Sequence, residues 1–249
     1  MSDLYWLTDE QMDRLRPFFP KSHRRPRVYD RRVLSGIIFV NRNGLRWHDA
    51  PREYAPHKTL WKRWITMGIF IRMMDGLAAG KAEPQTVMID ATYLKAHRTA
   101  SSLRLKKGSC GRLIGRTKGG MNTKLHAVTD RNGCPLDFFM TAGQISDHTG
   151  AAALLDGLPP AEWMLADRGY DADWFRDALK EKGIKPCIPG RKSCGKPIKY
   201  DKRKYKRRNL IEIMFGRLKD WRRVTTRYDR CSTDFLSAIC LAATVIFWL

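Results

Sequence analysis

The chain has 249 residues, and the 43% that are apolar suffice for one large domain or for a small and a medium one. A disordered chain is therefore excluded. Lys and Arg outnumber Asp and Glu by 47 to 25, a formal charge of +22 that indicates a polyanionic partner and carries no information about the fold.

Membrane insertion and a disulfide framework are not favoured by the sequence. The first residues hold Asp3, Asp9 and Glu10 instead of the basic and then apolar pattern of a signal peptide. The apolar run 235–249 has 15 residues, fewer than the roughly 20 that span a bilayer, and predicts a buried helix. Six cysteines without a CxxC pair or zinc-finger spacing predict free thiols in a reducing cytoplasm.

The first 80 residues carry helix signals and no convincing strand. Thr8 and Gln11 predict a capping box for the first helix, and Asn43 with Gly44 predicts the end of the second. The predicted helices span residues 8–16, 30–41 and 59–74.

These three helices predict an N-terminal DNA-binding module of the helix-turn-helix type over residues 1–80. A plain helical bundle with solvated charges explains the pattern as well, so contact of Lys58, Lys62 and Arg63 with bases or phosphates stays open. The stretch 80–84 predicts a linker to a second domain, residues 84–249.

Short apolar runs separated by turns occupy this second domain and are typical of strands. The turn from Asp130 to Gly133 predicts a hairpin, and helices alternate with strands after it. We therefore predict the α/β class, with a mixed sheet flanked by helices. The predicted strands span 86–94, 124–129, 135–141, 163–166 and 186–188, and the predicted helices 150–158, 172–182 and 205–219.

Residues 191–208 hold ten Lys or Arg and one acid, Asp201. Such a run cannot pack into a core. It is either a solvated loop or, because Glu212 follows it closely, a segment in which Lys202, Arg203 and Lys204 bind DNA phosphates.

Two carboxylates are associated with predicted strands. Asp90 interrupts the apolar run 86–94, where an ionised carboxylate is costly unless a cation or hydrogen bonds compensate it. Asp167 follows the strand 163–166, and the carboxyl ends of strands in open sheets bind ligands. A turn or a helix N-cap would also explain Asp167.

A third carboxylate, Glu212, lies on the predicted helix 205–219. Tyr205, Arg208, Glu212 and Lys219 fall on one stripe of that helix, beside an apolar arc that packs on the sheet. A salt bridge between Arg208 and Glu212 is the alternative explanation. Taken together, the three carboxylates suit Mg²⁺ or Mn²⁺, and two such ions about 4 Å apart would promote an in-line displacement at a phosphate.

The sequence resembles the DDE transposases of bacterial insertion sequences, in the IS-five-like group. The resemblance rests on the segment from Ile89 to Thr92, on the segment from Ala166 to Asp171, and on a Y-x(2)-R-x(3)-E-x(6)-K pattern. The four residues that match this last pattern are Tyr205, Arg208, Glu212 and Lys219.

This resemblance implies an RNase H-like catalytic domain in which Asp90, Asp167 and Glu212 hold two metal ions. It places Arg208, Lys219 and Tyr205 near substrate phosphates. It also implies cleavage at terminal inverted repeats, transfer of the 3′ ends into target DNA, a homodimer on DNA and a nucleoid-associated protein in a bacterial cytoplasm.

Two other functions remain open, a non-catalytic DNA-binding regulator and a simple RNase H-like nuclease. Three histidines have ordinary explanations as strand or cap residues and are interpreted as structural: His97, His126 and His148.

Overall fold

The computed structural model describes residues 4–19, 29–64, 68–80, 85–102, 111–191 and 198–249, with the backbone alone for 61–64. The chain forms two compact units. The first comprises Met1–Leu77, His97–Gly111 and Leu218–Leu249, and the second comprises Ala78–Ala96 and Arg112–Arg217. The predicted division at residues 80 and 84 stays a prediction, and residues 81–84 of the linker lie outside the described residues.

Among the described residues, strands appear only after residue 85, where they are mixed with helices. The helices are α1 (Asp9–Leu15), α2 (Asp30–Asn43), α3 (His57–Trp64), α4 (Ile69–Ala79), α5 (Arg98–Ser101), α6 (Asp147–Leu155), α7 (Asp173–Glu181), α8 (Lys202–Lys206), α9 (Asn209–Lys219), α10 (Arg222–Thr225) and α11 (Ser232–Ala243). The strands are β1 (Thr86–Ala96), β2 (Gly115–Thr117), β3 (Gly120–Thr129), β4 (Pro135–Ala142), β5 (Trp163–Leu165), β6 (Lys185–Cys187) and β7 (Thr226–Arg227).

The first unit begins with the predicted capping box. The Thr8 hydroxyl accepts from the Gln11 amide at 3.2 Å, and the Gln11 side chain accepts from the Thr8 amide at 3.0 Å. α2 ends at Gly44, whose φ of 73° is the left-handed conformation that glycine adopts without strain. The predicted capping box and the predicted stop at Gly44 are confirmed, and the last helical residue is Asn43, two residues beyond the predicted Asn41.

The predicted helix 59–74 is wrong, because two helices, α3 and α4, occupy that region. Gly68 precedes α4 with a φ of 60°. A residue in this conformation cannot continue a right-handed helix, and glycine adopts it at little cost. The apolar pattern of the segment continues through Gly68, which is why the sequence suggests one helix.

The apolar C-terminal run forms the buried helix α11, as predicted. Its core residues include Phe235 and Ile239, both fully buried. No helix in the described ranges is long and apolar enough to cross a bilayer. Cys134, Cys187 and Cys240 carry thiols, as predicted, but Cys231 is disulfide-bonded, so the prediction of thiols throughout is wrong at that residue.

A mixed sheet forms the second unit. β1 lies at its centre, antiparallel to β3 and parallel to β5. The strand order is β4-β3-β1-β5-β6, and β2 pairs with the first residues of β3. Three antiparallel strands followed by two parallel ones, with helices after β4, β5 and β6, form a mixed α/β sheet flanked by helices. The predicted fold class is confirmed.

The hairpin turn between β3 and β4 also positions α9. The Asp130 carboxylate accepts from the amides of Asn132 and Cys134 at 2.9 and 2.8 Å. Gly133 has a φ of 81°, and a Cβ there would lie 3.0 Å from the Leu210 carbonyl oxygen. The turn therefore requires glycine for its conformation and for its close contact with the first turn of α9.

The single helix predicted over 205–219 is wrong, because the chain breaks between α8 and α9 at Arg207 and Arg208. Asp201 starts α8 by accepting from the amides of Arg203 and Lys204. Continuing α8 would stack like charges four residues apart, which destabilises a helix. The two pairs that continuation would add are Arg203 with Arg207 and Lys204 with Arg208.

Candidate active site

Asp90 and Asp167 occupy equivalent positions on neighbouring parallel strands. Met88 of β1 lies opposite Leu165 of β5, and each carboxylate follows two residues later. The register therefore places both acids two residues beyond the last pair of the parallel ladder, with Asp90 in the middle of β1 and Asp167 just after β5. The strand signals in the sequence are sufficient to predict this placement.

The Asp90 carboxylate is largely buried and has two hydrogen-bond donors. Its Oδ1 accepts from the Ala91 amide at 2.8 Å, and its Oδ2 accepts from Arg208 Nη1 at 2.6 Å. Burial raises the pKa of Asp90 to about 6, the pairing with Arg208 and the Ala91 amide oppose that rise, and the charge of Asp167 adds to it. Asp90 is therefore an acid whose negative charge is incompletely compensated.

The raised pKa makes stability depend on pH. The unfolded chain releases the Asp90 proton near pH 4, whereas the folded chain keeps it up to about pH 6, so this stabilising contribution is lost as the pH rises through 6. We expect the free energy of unfolding of Asp90→Asn to rise relative to the wild type by about 2–3 kcal/mol between pH 4 and pH 7. Urea titrations at several pH values measure the difference, and a constant difference would contradict the prediction.

Arg208 joins Asp90 to Glu212. Its Nη2 pairs with Glu212, while its Nη1 pairs with Asp90. The Arg208 side chain is 16% exposed and the Glu212 side chain is 51% exposed. The salt bridge considered from the sequence is therefore present, but it is part of a three-residue cluster that includes Asp90.

Asp167 starts a short turn of helix over Arg168–Tyr170, where its Oδ1 accepts from the Gly169 amide at 2.8 Å. The N-cap interpretation is thus correct as a local description. It leaves the other carboxylate oxygen available for further contacts.

A buried ion pair fixes the loop that carries Asp167. Asp171 Oδ1 accepts from Arg176 Nε and Nη2 at 2.9 and 2.7 Å, and Asp171 Oδ2 accepts from the Arg191 amide at 2.6 Å. Arg191 also donates to the carbonyl oxygens of Arg168 and Gly169. Contacts from Arg176 and from Arg191 therefore fix this loop. The sequence alone does not indicate these roles for Asp171, Arg176 and Arg191.

The other predicted DNA-binding residues lie on several elements. The Arg208 guanidinium lies 5.8 Å from the centre of the Tyr205 ring, and Lys204 Nζ lies 4.8 Å from the centre of the Trp163 ring. Lys202 and Arg203 are exposed on α8. Lys219 ends α9, and Lys58 is exposed on α3; the side chains of Lys62 and Arg63 lie outside the described residues.

Two of the histidines interpreted as structural have partners that agree with that interpretation. His97 caps α5 by accepting from the Thr99 amide, and His126 is buried with its Nε2 at 2.9 Å from the Thr141 hydroxyl. Burial lowers the pKa of His126 to about 4. His148 Nε2 lies 2.7 Å from Arg191 Nη2, so it accepts from this guanidinium.

The carboxylate oxygens of Asp90, Asp167 and Glu212 are ligands that suit a hard cation, but the three side chains do not surround a common point. Among the described residues, no three His, Cys, Asp or Glu side chains lie close enough together to hold a metal ion. Asp90 and Glu212 both contact Arg208, so a cation shared by these acids would replace the guanidinium between them. Carboxylate oxygens and the incompletely compensated Asp90 nevertheless fit Mg²⁺ or Mn²⁺.

Two family models match the chain. The model described as Transposase DDE domain matches residues 81–246, and the model described as putative transposase of IS4/5 family matches residues 7–74. The chain belongs to the transposase DDE domain family. The resemblance inferred from the sequence is thereby confirmed.

Relatives in two bacteria carry similar names. The putative transposase for insertion sequence element IS6501 of Brucella ovis is 39% identical over 133 residues, which cover 52% of this chain and 99% of that protein. The putative transposase for insertion sequence element IS402 of Burkholderia cepacia is 30% identical over 153 residues, which cover 54% of this chain and 70% of that protein.

Among solved structures, the piggyBac transposase in a synaptic complex with hairpin DNA is 9% identical, with a TM-score of 0.44. The alignment covers 77% of this chain and 50% of that chain, so this family member spans half the length of the piggyBac chain. Family membership rests on the sequence models and not on this alignment.

Proposed function

We propose that the chain is a metal-dependent transposase that cleaves DNA at the terminal inverted repeats of an insertion sequence and joins the freed 3′ ends to target DNA. The observation that carries the proposal is the equivalent register of Asp90 and Asp167 on β1 and β5, with Arg208 joining Asp90 to Glu212. Structural acids do not require two matched positions beside a pair of parallel strands, or an arginine that links one of them to a third acid on a helix.

Asp90, Asp167 and Glu212 are the residues that would hold Mg²⁺ or Mn²⁺. When bound, two such ions supply polarisation of the scissile phosphate, activation of a water or 3′-hydroxyl, and stabilisation of the leaving oxygen. The chain itself orients the carboxylates, through the Gly169 amide at Asp167 and the Ala91 amide at Asp90.

Arg208 is the residue best placed to bind a phosphate beside these acids. A guanidinium binds phosphate oxygens in the same paired geometry as carboxylate oxygens. A DNA phosphate can therefore replace Asp90 and Glu212 as the partner of the Arg208 guanidinium. Tyr205 lies against its guanidinium, and Lys202, Arg203 and Lys204 present further positive charge on α8. Lys219 at the end of α9 is assigned the same phosphate-binding role.

The decisive experiment incubates the full chain with duplexes that carry the terminal repeats of its insertion sequence, a second duplex as target, and Mg²⁺. Sequencing of the products distinguishes the functions. Joined products support the transposase. Free 3′-hydroxyl ends without joining favour a nuclease, and binding without cleavage favours a regulator.

Affinity for DNA should fall steeply as salt rises, because neutralised phosphates release counterions. We expect Lys202→Ala combined with Arg203→Ala to lower the log–log salt slope by about 2, one for each phosphate contact removed. Fluorescence anisotropy of labelled duplex across a salt series measures the slope. Lys182→Ala, an exposed cation at the end of α7, is the control and should leave the slope unchanged.

Joining two ends requires that two catalytic centres act together, so we propose a homodimer on DNA. The N-terminal helices would recognise the terminal repeat, with Lys58, Lys62 and Arg63 as the candidate contacts. Light scattering with and without paired-end DNA tests the dimer.

A further inference from the structure

A fourth carboxylate lies beside the catalytic acids on the sheet unit. Asp147 is the first residue of α6, and its Oδ1 lies 3.1 Å from Lys124 Nζ. Lys124 also donates to the Ile145 carbonyl oxygen at 2.7 Å, and its side chain is 6% exposed. The buried lysine therefore holds Asp147 in one orientation through one of its two oxygens.

The other oxygen of Asp147 is close to Asp167. A Cβ placed on Gly169 would lie 2.8 Å from Asp167 Oδ1 and 3.1 Å from Asp147 Oδ2. The two carboxylate oxygens are consequently no more than about 6 Å apart, a span that one cation with short metal–oxygen bonds can bridge after a small adjustment. Glycine at position 169 leaves the space between them open.

A buried hydroxyl lies next to these acids without a partner. Tyr170 is fully buried, and its Oη has no hydrogen-bond partner among the described residues. Burial raises the pKa of this hydroxyl, the charges of Asp147, Asp90 and Asp167 add to that rise, and the charge of Arg208 opposes it. A buried hydroxyl without a partner is unfavourable, so a polar group that reached it would stabilise the chain.

We propose that Asp147 is a fourth acidic residue of the catalytic centre, which together with Asp167 holds one of the divalent cations. The inference rests on the proposed function. Lys124 positions Asp147 by occupying Oδ1, so Oδ2 is left for the cation. A water molecule on such a cation would supply the Tyr170 hydroxyl with a hydrogen-bond partner.

The alternative role of Asp147 is structural, as the counter-ion of buried Lys124. The two roles respond differently to removal of both charges. If Asp147 only neutralises Lys124, then Asp147→Asn weakens cation binding through misfolding, and adding Lys124→Met restores it. If Asp147 is a ligand, the double variant stays weak.

The experiment measures Mn²⁺ binding to the full chain by electron paramagnetic resonance, without DNA. We expect Asp147→Asn to weaken binding at least about tenfold, and the double variant Asp147→Asn with Lys124→Met to remain as weak. Asp156→Asn is the matched control, since it removes an exposed acid at the other end of α6 and should bind as the wild type does.

The outcomes separate this inference from the proposed function. Wild-type affinity in Asp147→Asn, or restored affinity in the double variant, overturns the role of Asp147 while the role of Asp167 stands. Loss of Mn²⁺ binding in Asp167→Asn supports the proposed metal centre whatever the role of Asp147. A wild-type chain that binds no Mn²⁺ overturns both proposals.

Tyr170→Phe provides a second readout. Removing an unpartnered hydroxyl should raise the midpoint of thermal unfolding without metal, because the buried polar atom is gone. Mn²⁺ should stabilise the Tyr170→Phe variant less than it stabilises the wild type. An unchanged response to Mn²⁺ would contradict the proposed contact with a cation-bound water.

Discussion

Asp90→Asn is expected to lower the rate of strand cleavage by at least about a thousandfold while leaving DNA affinity within twofold of the wild type. Asparagine has the same shape, so β1 and the contact with the Ala91 amide persist. It lacks the negative charge that a divalent cation requires. Loss of cation binding removes several kcal/mol of transition-state stabilisation, which corresponds to this rate factor.

Cleavage of a labelled terminal-repeat duplex measures the rate, and fluorescence anisotropy measures the affinity. Asp156→Asn serves again as the control, because it removes the same charge at an exposed position of the sheet unit. Equal cleavage by Asp90→Asn and the wild type would remove the metal centre from the proposal. Equal loss of binding and cleavage would indicate misfolding, which urea titration detects.

Asp171→Ala is expected to destabilise the chain by about 3–5 kcal/mol, the largest stability effect that the described residues suggest. The variant leaves the Arg176 guanidinium buried, at 10% exposure, without its carboxylate. The remaining partner of Arg176 is the Ile188 carbonyl oxygen at 2.8 Å, which carries no compensating full charge. The Arg191 amide also loses its acceptor.

Urea titration of the free energy of unfolding tests this prediction. Asp177→Ala is the control, on the helix that carries Arg176, since Asp177 and Lys180 form a 2.8 Å pair in which both side chains are 62% exposed. Exposed ion pairs contribute about 0–1 kcal/mol to stability, so Asp177→Ala should lower the free energy of unfolding by no more than that. Adding Arg176→Met to Asp171→Ala should recover much of the loss, because the uncompensated charge is removed. Equal effects of Asp171→Ala and Asp177→Ala would contradict the argument.

The placement of Asp90 and Asp167 follows from the sequence because strand signals are local. One apolar run is interrupted by an acid and another is followed by one, so parallel pairing of the two strands is enough to match the positions of the two acids. The break before α9 is harder to predict, since it depends on repulsion among successive cations and not on a proline or glycine. Gly68 likewise separates α3 from α4 within a continuous apolar pattern.

Asp147 shows a different limit. An acid at the first position of a helix has an ordinary explanation in the helix dipole, so the sequence gives no reason to single it out. The informative signal is Lys124, a buried cation in strand β3, which needs an anionic partner. Identifying that partner requires the fold, because 23 residues separate the two in the sequence.

Arg208 also bears on how the domain folds. Acids collected at one edge of a sheet repel one another, and this repulsion opposes folding of a chain that carries no divalent ion. The guanidinium between Asp90 and Glu212 reduces that repulsion from within the polypeptide. Folding of the sheet and capture of metal can therefore be separate events, and a cell poor in free divalent ions could still accumulate the folded protein.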